Sequence, residues 1–214
     1  MKIDEETYTV ETAETTDEEF GDCIRRSWRR ADGALHRVEG PAVILMNRDG
    51  VEFCWRWYKD DQLHRDDGPA ELFLDDELRD ERWYRHGKLH RDKGAAEIAT
   101  DLATDIRIFE RWFFDGVPHR TGGPSYVGCD RQTGVVDVEE YMQRGKFHRE
   151  EGPAFISRDD ATGDLREVRW MLNGQLHRTN GPAHIEYLPN GGVEMSYYQH
   201  GKRIGPDGSD PAPA

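Results

Sequence analysis

The chain has 214 residues, 36% hydrophobic and 34% charged, with a net charge of −14. That surface repels phosphate backbones and anionic lipid, which sets general nucleic-acid and membrane binding aside. Aromatic residues make up 10%, too many for a wholly disordered chain, and no apolar run reaches the roughly 18 residues of a membrane span.

In chain order, residues 1–20 come first, as an acidic segment. Eight acids stand there against one base, Lys2. The composition predicts a solvated tail, or an arm that docks on a basic partner. Within it, Tyr8-Thr9-Val10 alternates as a strand added to a sheet edge does. No apolar signal segment is seen. The cysteines Cys23, Cys54 and Cys129 are odd in number and widely spaced. They predict a reducing cytoplasm rather than a disulfide framework.

Residues 21–205 are a tandem repeat. Six His-Arg pairs recur: His36-Arg37, His64-Arg65, His90-Arg91, His119-Arg120, His148-Arg149 and His177-Arg178, spaced by 28, 26, 29, 29 and 29 residues. Four residues after each His stands a glycine: Gly40, Gly68, Gly94, Gly123, Gly152 and Gly181. Next come Pro or Ala, then Ala or Ser. Seven before the His stands an aromatic residue, Trp57, Trp83, Trp112, Tyr141 or Trp170; in the first copy Arg29 holds that place, with Trp28 beside it. Three before the His is usually glycine, with Asp61 as the exception. A decayed seventh copy follows, with Ile204 and Gly205 in the His-Arg positions. Residues 206–214, rich in proline, are predicted to be an unstructured tail.

Each unit carries two strand-like runs. One precedes the glycine and alternates aromatic with polar residues, as in residues 52–58. The other follows Gly-Pro, as in residues 182–188. Asp115-Gly116 and Asn173-Gly174 are tight-turn signals, because glycine takes positive φ without a Cβ clash. The fold class expected is therefore all-β, with tandem β-hairpin repeats forming an extended, twisted antiparallel meander of roughly 13 strands at two per unit. The aromatic residues are expected to stack over the small residue after Gly-Pro.

The unit resembles a tandem repeat of the form Trp-Tyr-x-Asn-Gly-x-Leu-His-Arg-x-x-Gly-Pro-Ala-x-Ile, which recurs in proteins of phages, large DNA viruses and bacteria. It is distantly similar to MORN repeats. The resemblance spans about residues 22 to 205 and implies an elongated antiparallel sheet that acts as a scaffold.

A repeated His invites a metal reading, but equivalent residues two strands apart lie about 10 Å from one another, against metal–nitrogen distances of about 2 Å. His86 and His90 flank one turn and are the nearest to a two-His pair. The repeated arginines are expected to hold turn carbonyls, pair with acids or stack on rings. No nucleotide-binding glycine loop, nucleophile elbow or Cys-His pair occurs, so no catalytic residue, metal or cofactor is assigned. The inserts near residues 99–106 and 128–136 are candidate partner contacts. The function expected is a non-enzymatic protein-interaction module. In keeping with the resemblance, it is a phage- or mobile-element-encoded factor acting on a host protein. The alternatives are capture of a phosphorylated small ligand or nucleotide by the arginines, and a structural, scaffold or virion subunit that self-associates through sheet edges.

Overall fold

The computed structural model describes residues 7–209. Among them there is no helix, and so none long and apolar enough to cross a membrane. The chain divides into two compact units, residues 1–103 and 104–214.

In the first unit the strands are β1 (Thr9–Asp17), β2 (Gly21–Arg29), β3 (Val43–Met46), β4 (Glu52–Arg56), β5 (Tyr58–Lys59) and β6 (Gln62–Leu63). They continue as β7 (Glu71–Leu74), β8 (Leu78–Arg82), β9 (Tyr84–Arg85), β10 (Lys88–Leu89) and β11 (Glu97–Asp101). The second unit holds β12 (Arg107–Arg111), β13 (Phe113–Phe114), β14 (Val117–Pro118), β15 (Tyr126–Cys129), β16 (Val136–Glu140), β17 (Met142–Gln143) and β18 (Lys146–Phe147). It ends with β19 (Phe155–Arg158), β20 (Leu165–Arg169), β21 (Met171–Leu172), β22 (Gln175–Leu176), β23 (His184–Tyr187), β24 (Val193–Gln199) and β25 (Lys202–Ile204).

The long strands form an antiparallel meander in chain order: β1-β2-β3-β4-β7-β8-β11 in the first unit and β12-β15-β16-β19-β20-β23-β24-β25 in the second. The fold is all-β with repeated hairpins, as expected, but the count of two strands per unit needs correction. The second to sixth copies each also fold a small hairpin of two-residue strands, and the first has a single bridge, Arg29 to Leu35, in its place. The reason is visible at Trp57. Its N–H donates to the Ala70 carbonyl of the long ladder at 2.8 Å, while its own carbonyl accepts from His64 N–H at 3.0 Å. The backbone thus leaves one ladder and enters another at the aromatic residue, and the run over 52–58 is two strands.

The tips of these small hairpins are turns with two successive positive-φ residues. Asn173-Gly174 has φ of 51° and 84°, as the Asn-Gly signal anticipates. Asp60-Asp61 does the same without glycine, at 53° and 60°. The strain of Asp61 is offset locally, because its carboxylate accepts the Leu35 N–H at 2.7 Å.

Residues 9–20 lie within the segment expected as a tail or arm. Here β1 pairs with β2 over nine residue pairs, Thr9 to Asp17 against Arg29 to Gly21. Residues 1–6, and residues 210–214 of the expected C-terminal tail, lie outside the described residues. In the first unit Cys23, Leu35, Val43, Leu45 and Cys54 are buried together, and in the second Ala154, Ile156, Val168 and Ala183 are buried.

Candidate interaction face

The repeated residues form two devices that recur along the chain. The first is a clamp around each Arg. In all six copies the guanidinium lies over the aromatic ring, with its carbon 3.8 to 4.3 Å from the ring centroid. Its Nη1 donates to the carbonyl four residues on, at 3.0 to 3.4 Å. The other face of the guanidinium lies on the glycine. A Cβ at Gly68 would sit 2.9 Å from Arg65 Cζ, and at Gly94, where φ is +114°, it would sit 3.1 Å from Arg91 Nη1. Aromatic, Arg and Gly are therefore one unit, and the Gly is needed because the cation occupies the space of a side chain. In the first copy Trp28, not Arg29, carries Arg37. The rings engage the cation, while the small residue meets the aromatic residue through the backbone, as in Trp170 N–H to Ala183 carbonyl at 2.7 Å.

The second device is a latch. His36, His64, His119, His148 and His177 each accept at Nδ1 a backbone N–H from the next small hairpin, at 3.1 to 3.3 Å. The donors are Asp60, His86, Arg144, Asn173 and His200, each the first positive-φ residue of its turn. An acceptor Nδ1 is an unprotonated one, so the imidazole proton rests on Nε2. At His90 that nitrogen faces Asp92 at 3.0 Å. His86 meets His64 rather than His90, with ring centroids 4.6 Å apart. His177 meets His200 at 4.2 Å, and burial, with His200 second, lowers the His177 pKa. Among the described residues no group of three or more His, Cys, Asp or Glu could hold a metal.

What differs between copies is a pair of positions that sequence reasoning did not single out, eight residues before the His and seven after it. Cross-strand partners face the same side of a sheet. In the first unit the register links Val43 to Arg56, Arg56 to Glu71, Glu71 to Arg82 and Arg82 to Glu97. Charges alternate along the row. Arg56 Nε pairs with Glu71 at 2.5 Å, and Arg82 with Glu71 and Glu97, each at 3.3 Å. The parallel row two residues along the strands runs Leu45, Cys54, Phe73, Asp80, Ala99.

The β1–β2 turn closes over this face. Asp17 pairs with Arg56 at 2.6 Å and Glu19 with Arg82 at 2.7 Å. Phe20 stacks on Phe73 at 4.9 Å and meets Phe53 edge-on at 5.5 Å. Phe53 is the extra residue of a bulge, since Leu45 pairs with Cys54 and Met46 with Glu52. Under this cover burial pushes the Cys54 thiol up to about 12. Burial also lifts the Asp80 carboxyl to about 6, although Arg82 lies 2.9 Å away and opposes the shift.

In the second unit the same row runs Arg111, Tyr126, Glu140, Phe155, Arg169, His184. The acids that follow the His in the first unit, Glu71 and Glu97, have become Tyr126 and Phe155. Arg111 lies over Tyr126 at 5.1 Å and over Phe109 at 4.9 Å, and Arg169 over Phe155 at 4.8 Å. Glu167 holds both Arg169 Nε, at 2.5 Å, and His184 Nε2, at 2.6 Å. Burial raises the Glu140 pKa, with Arg111 opposing. Residues 104–209 contain no counterpart of the Asp17–Phe20 turn. The Arg169 side chain is 41% exposed, against 20% for Arg82. A groove of about 330 Å³ opens here between the row and the small hairpins, lined by Arg111, Phe113, Tyr126, Glu140 and Met142 among others.

Of the inserts expected to meet partners, 128–136 begins in β15 and ends in β16, and between them residues 130–135 form a loop braced by Asp130, which accepts from Thr133 N–H at 2.7 Å and Gln132 N–H at 3.0 Å. Thr133 Oγ1 in turn donates to the Asp160 carbonyl of the following loop at 3.2 Å. In the other insert, 99–106, only residues 99–101 are strand, as the end of β11, and Ala99 and Thr100 are buried. No protein-family model and no curated protein matches this chain.

Proposed function

We propose that this chain is a non-enzymatic protein-interaction module and that its working surface is the sheet face of residues 104–209. The observation that carries this reading is the contrast along one row. The positions that the first unit fills with matched charges under its own turn carry, in the second, the rings Tyr126 and Phe155 among Arg111, Glu140, Arg169 and His184, and a groove opens beside Arg111, Tyr126 and Glu140. Aromatic and Arg side chains together are the usual anchors of protein interfaces, and Tyr126, Phe155 and Arg169 are partly exposed.

The arginines of the repeat suit the alternative of phosphate capture poorly. Each already lies between a ring and a glycine and donates to a carbonyl. A subunit that self-associates by adding repeats is disfavoured by the last copy. Ile204 stands where the latch histidine would be, so a further hairpin would find no Nδ1 acceptor.

The test is native mass spectrometry of the chain isolated gently from its source, beside a Tyr126→Ala/Phe155→Ala double variant. A partner at fixed stoichiometry that the double variant loses supports the reading. A partner retained by the double variant, or a homo-oligomer alone, contradicts it.

A further inference from the structure

We infer that the open edge of β24 receives an extended strand of a partner protein, in which two aliphatic residues flank a basic one. This surface is separate from Tyr126 and Phe155, and the inference does not depend on them.

The repeat itself displays what such an edge pairs with. In six copies the N–H of the aromatic residue, as at Trp170, donates to the carbonyl of the small residue just ahead of the next long strand, at 2.7 to 2.9 Å. Tyr197 holds that position in the seventh copy. It pairs with Ile204 of β25, as each aromatic does with its own small hairpin. Among the described residues no further long strand follows, and Val193–Ser196 is bordered only by β23. Successive residues of an antiparallel strand turn their backbone groups to alternate sides. Trp170 bonds forward to Ala183, so Val168, two residues earlier, also faces forward, where it pairs with Ile185. Met195 stands in the place of Val168. Its N–H and C=O, with the Tyr197 N–H, therefore point to the open side.

The side chains of this edge match an apolar visitor. Met195 is 52% exposed and Val193 46%, whereas Val168, with a strand on each side, is 4% exposed. The β1 edge is built differently: its sequence, TVETAETTD, is mostly threonine and acid, the polar kind of edge that discourages pairing.

Charge selects the residue between the aliphatic ones. On the other face of the sheet Glu167, Glu186 and Glu194 stand directly opposite one another on successive strands. Glu167 is held by Arg169 and His184. Glu186 and Glu194 are exposed, and among the described residues no cation pairs with either. Like charges directly opposite destabilise a sheet. The next place in that row belongs to the incoming strand, and a Lys or Arg there relieves the repulsion. Its two neighbours fall opposite Met195 and Val193, so both are aliphatic. A single strand has no latch to make, so Ile204 is no obstacle to it.

The probe is a fluorescein-labelled peptide, Ala-Thr-Ile-Lys-Val with blocked ends, titrated with the full chain and followed by fluorescence polarisation. Replacing its Lys by Glu, or N-methylating its Ile, is expected to weaken binding about tenfold, through the lost charge pair or the lost ladder bond. N-methylating its Lys, whose N–H faces away from the chain, leaves binding unchanged. These comparisons use the unaltered chain, so no variant has to fold. Glu194→Lys is expected to reverse the preference between the Lys and Glu peptides, while Glu14→Lys, on the β1 edge, leaves it as it was. No binding, equal binding of the Glu peptide, or equal tolerance of the two methyl groups would each overturn the inference. Binding that appears only after residues 210–214 are removed would make the chain's own end the occupant and overturn it too. So would a dimer that Met195→Asp dissolves, which would make a second copy the occupant. Release of a native partner by Tyr126→Ala/Phe155→Ala is read separately, so either reading can fail alone.

Discussion

The two units share one backbone plan and use it oppositely. In residues 7–103 the variable row is filled with matched charges and covered by the chain's own turn. In residues 104–209 the same positions carry rings as well as charges, and a groove opens beside Arg111, Tyr126 and Glu140. The clamp and the latch recur in both. The repeated residues therefore build the hairpins, and individuality enters where the repeat permits variation, on the row facing the groove. In a repeat array, a search for function belongs at the positions that change.

The contrast is sharpest for the arginines of the row. Arg82→Ala removes the cation that Glu71, Asp80 and Glu97 share, with Glu71 keeping Arg56, and is expected to cost about 3–5 kcal/mol. Arg169→Ala, at the equivalent place, removes a half-exposed cation and should cost under about 1 kcal/mol. Urea unfolding of both variants gives the difference, and equal losses would erase the distinction between closed and open rows.

Asp80 sharpens it through pH. Its carboxyl is raised from 3.8 to about 6 in the folded chain, so the folded state holds a proton that the unfolded state has lost between those values. That contribution is complete below pH 3.8 and disappears as pH rises through 6; it is on the order of 3 kcal/mol. Asp80→Asn should flatten this part of the stability–pH curve, as measured by thermal unfolding from pH 4 to 7. In the second unit the matching places hold Phe109, Val138 and Glu167.

Phe20→Ala loosens the cover while every row residue stays in place, although the ring also lies 5.7 Å from the Arg56 guanidinium. The ring is partly buried, so the loss should be about 2–3 kcal/mol, below the ~3–5 of a wholly buried phenylalanine. The more specific readout is Cys54, which is 0% exposed. Its labelling by a maleimide should accelerate in the variant, while Cys129, in the second unit, labels at an unchanged rate.

Much of the fold was legible. The His-Arg-x-x-Gly-Pro signature recurs because the clamp needs the same three groups in the same places, and turn pairs such as Asn173-Gly174 advertise positive φ. The small hairpins were hidden because the run over 52–58 reads as one alternating strand. Only the backbone bonds of Trp57 reveal the break. The role of the acidic segment was hidden too, since its partners Arg56 and Arg82 lie 39 and 63 positions away from Asp17 and Glu19. The candidate face could not stand out by repetition, because its defining positions vary: Glu71, Glu97, Tyr126, Phe155 and His184 share one place. A periodic Arg eight before the His, present at 56, 82, 111 and 169, was the available signal.

The central claim is that repeated arginines hold the fold while row residues face partners. Urea unfolding of Arg149→Ala tests it most directly, because Arg149 stacks on Tyr141 and donates to Pro153 but lies outside the row. A loss of about 2 kcal/mol is predicted, from the cation–ring contact and the charged hydrogen bond together. Unchanged stability would contradict the account and return the repeated arginines to the surface as ligand-binding groups.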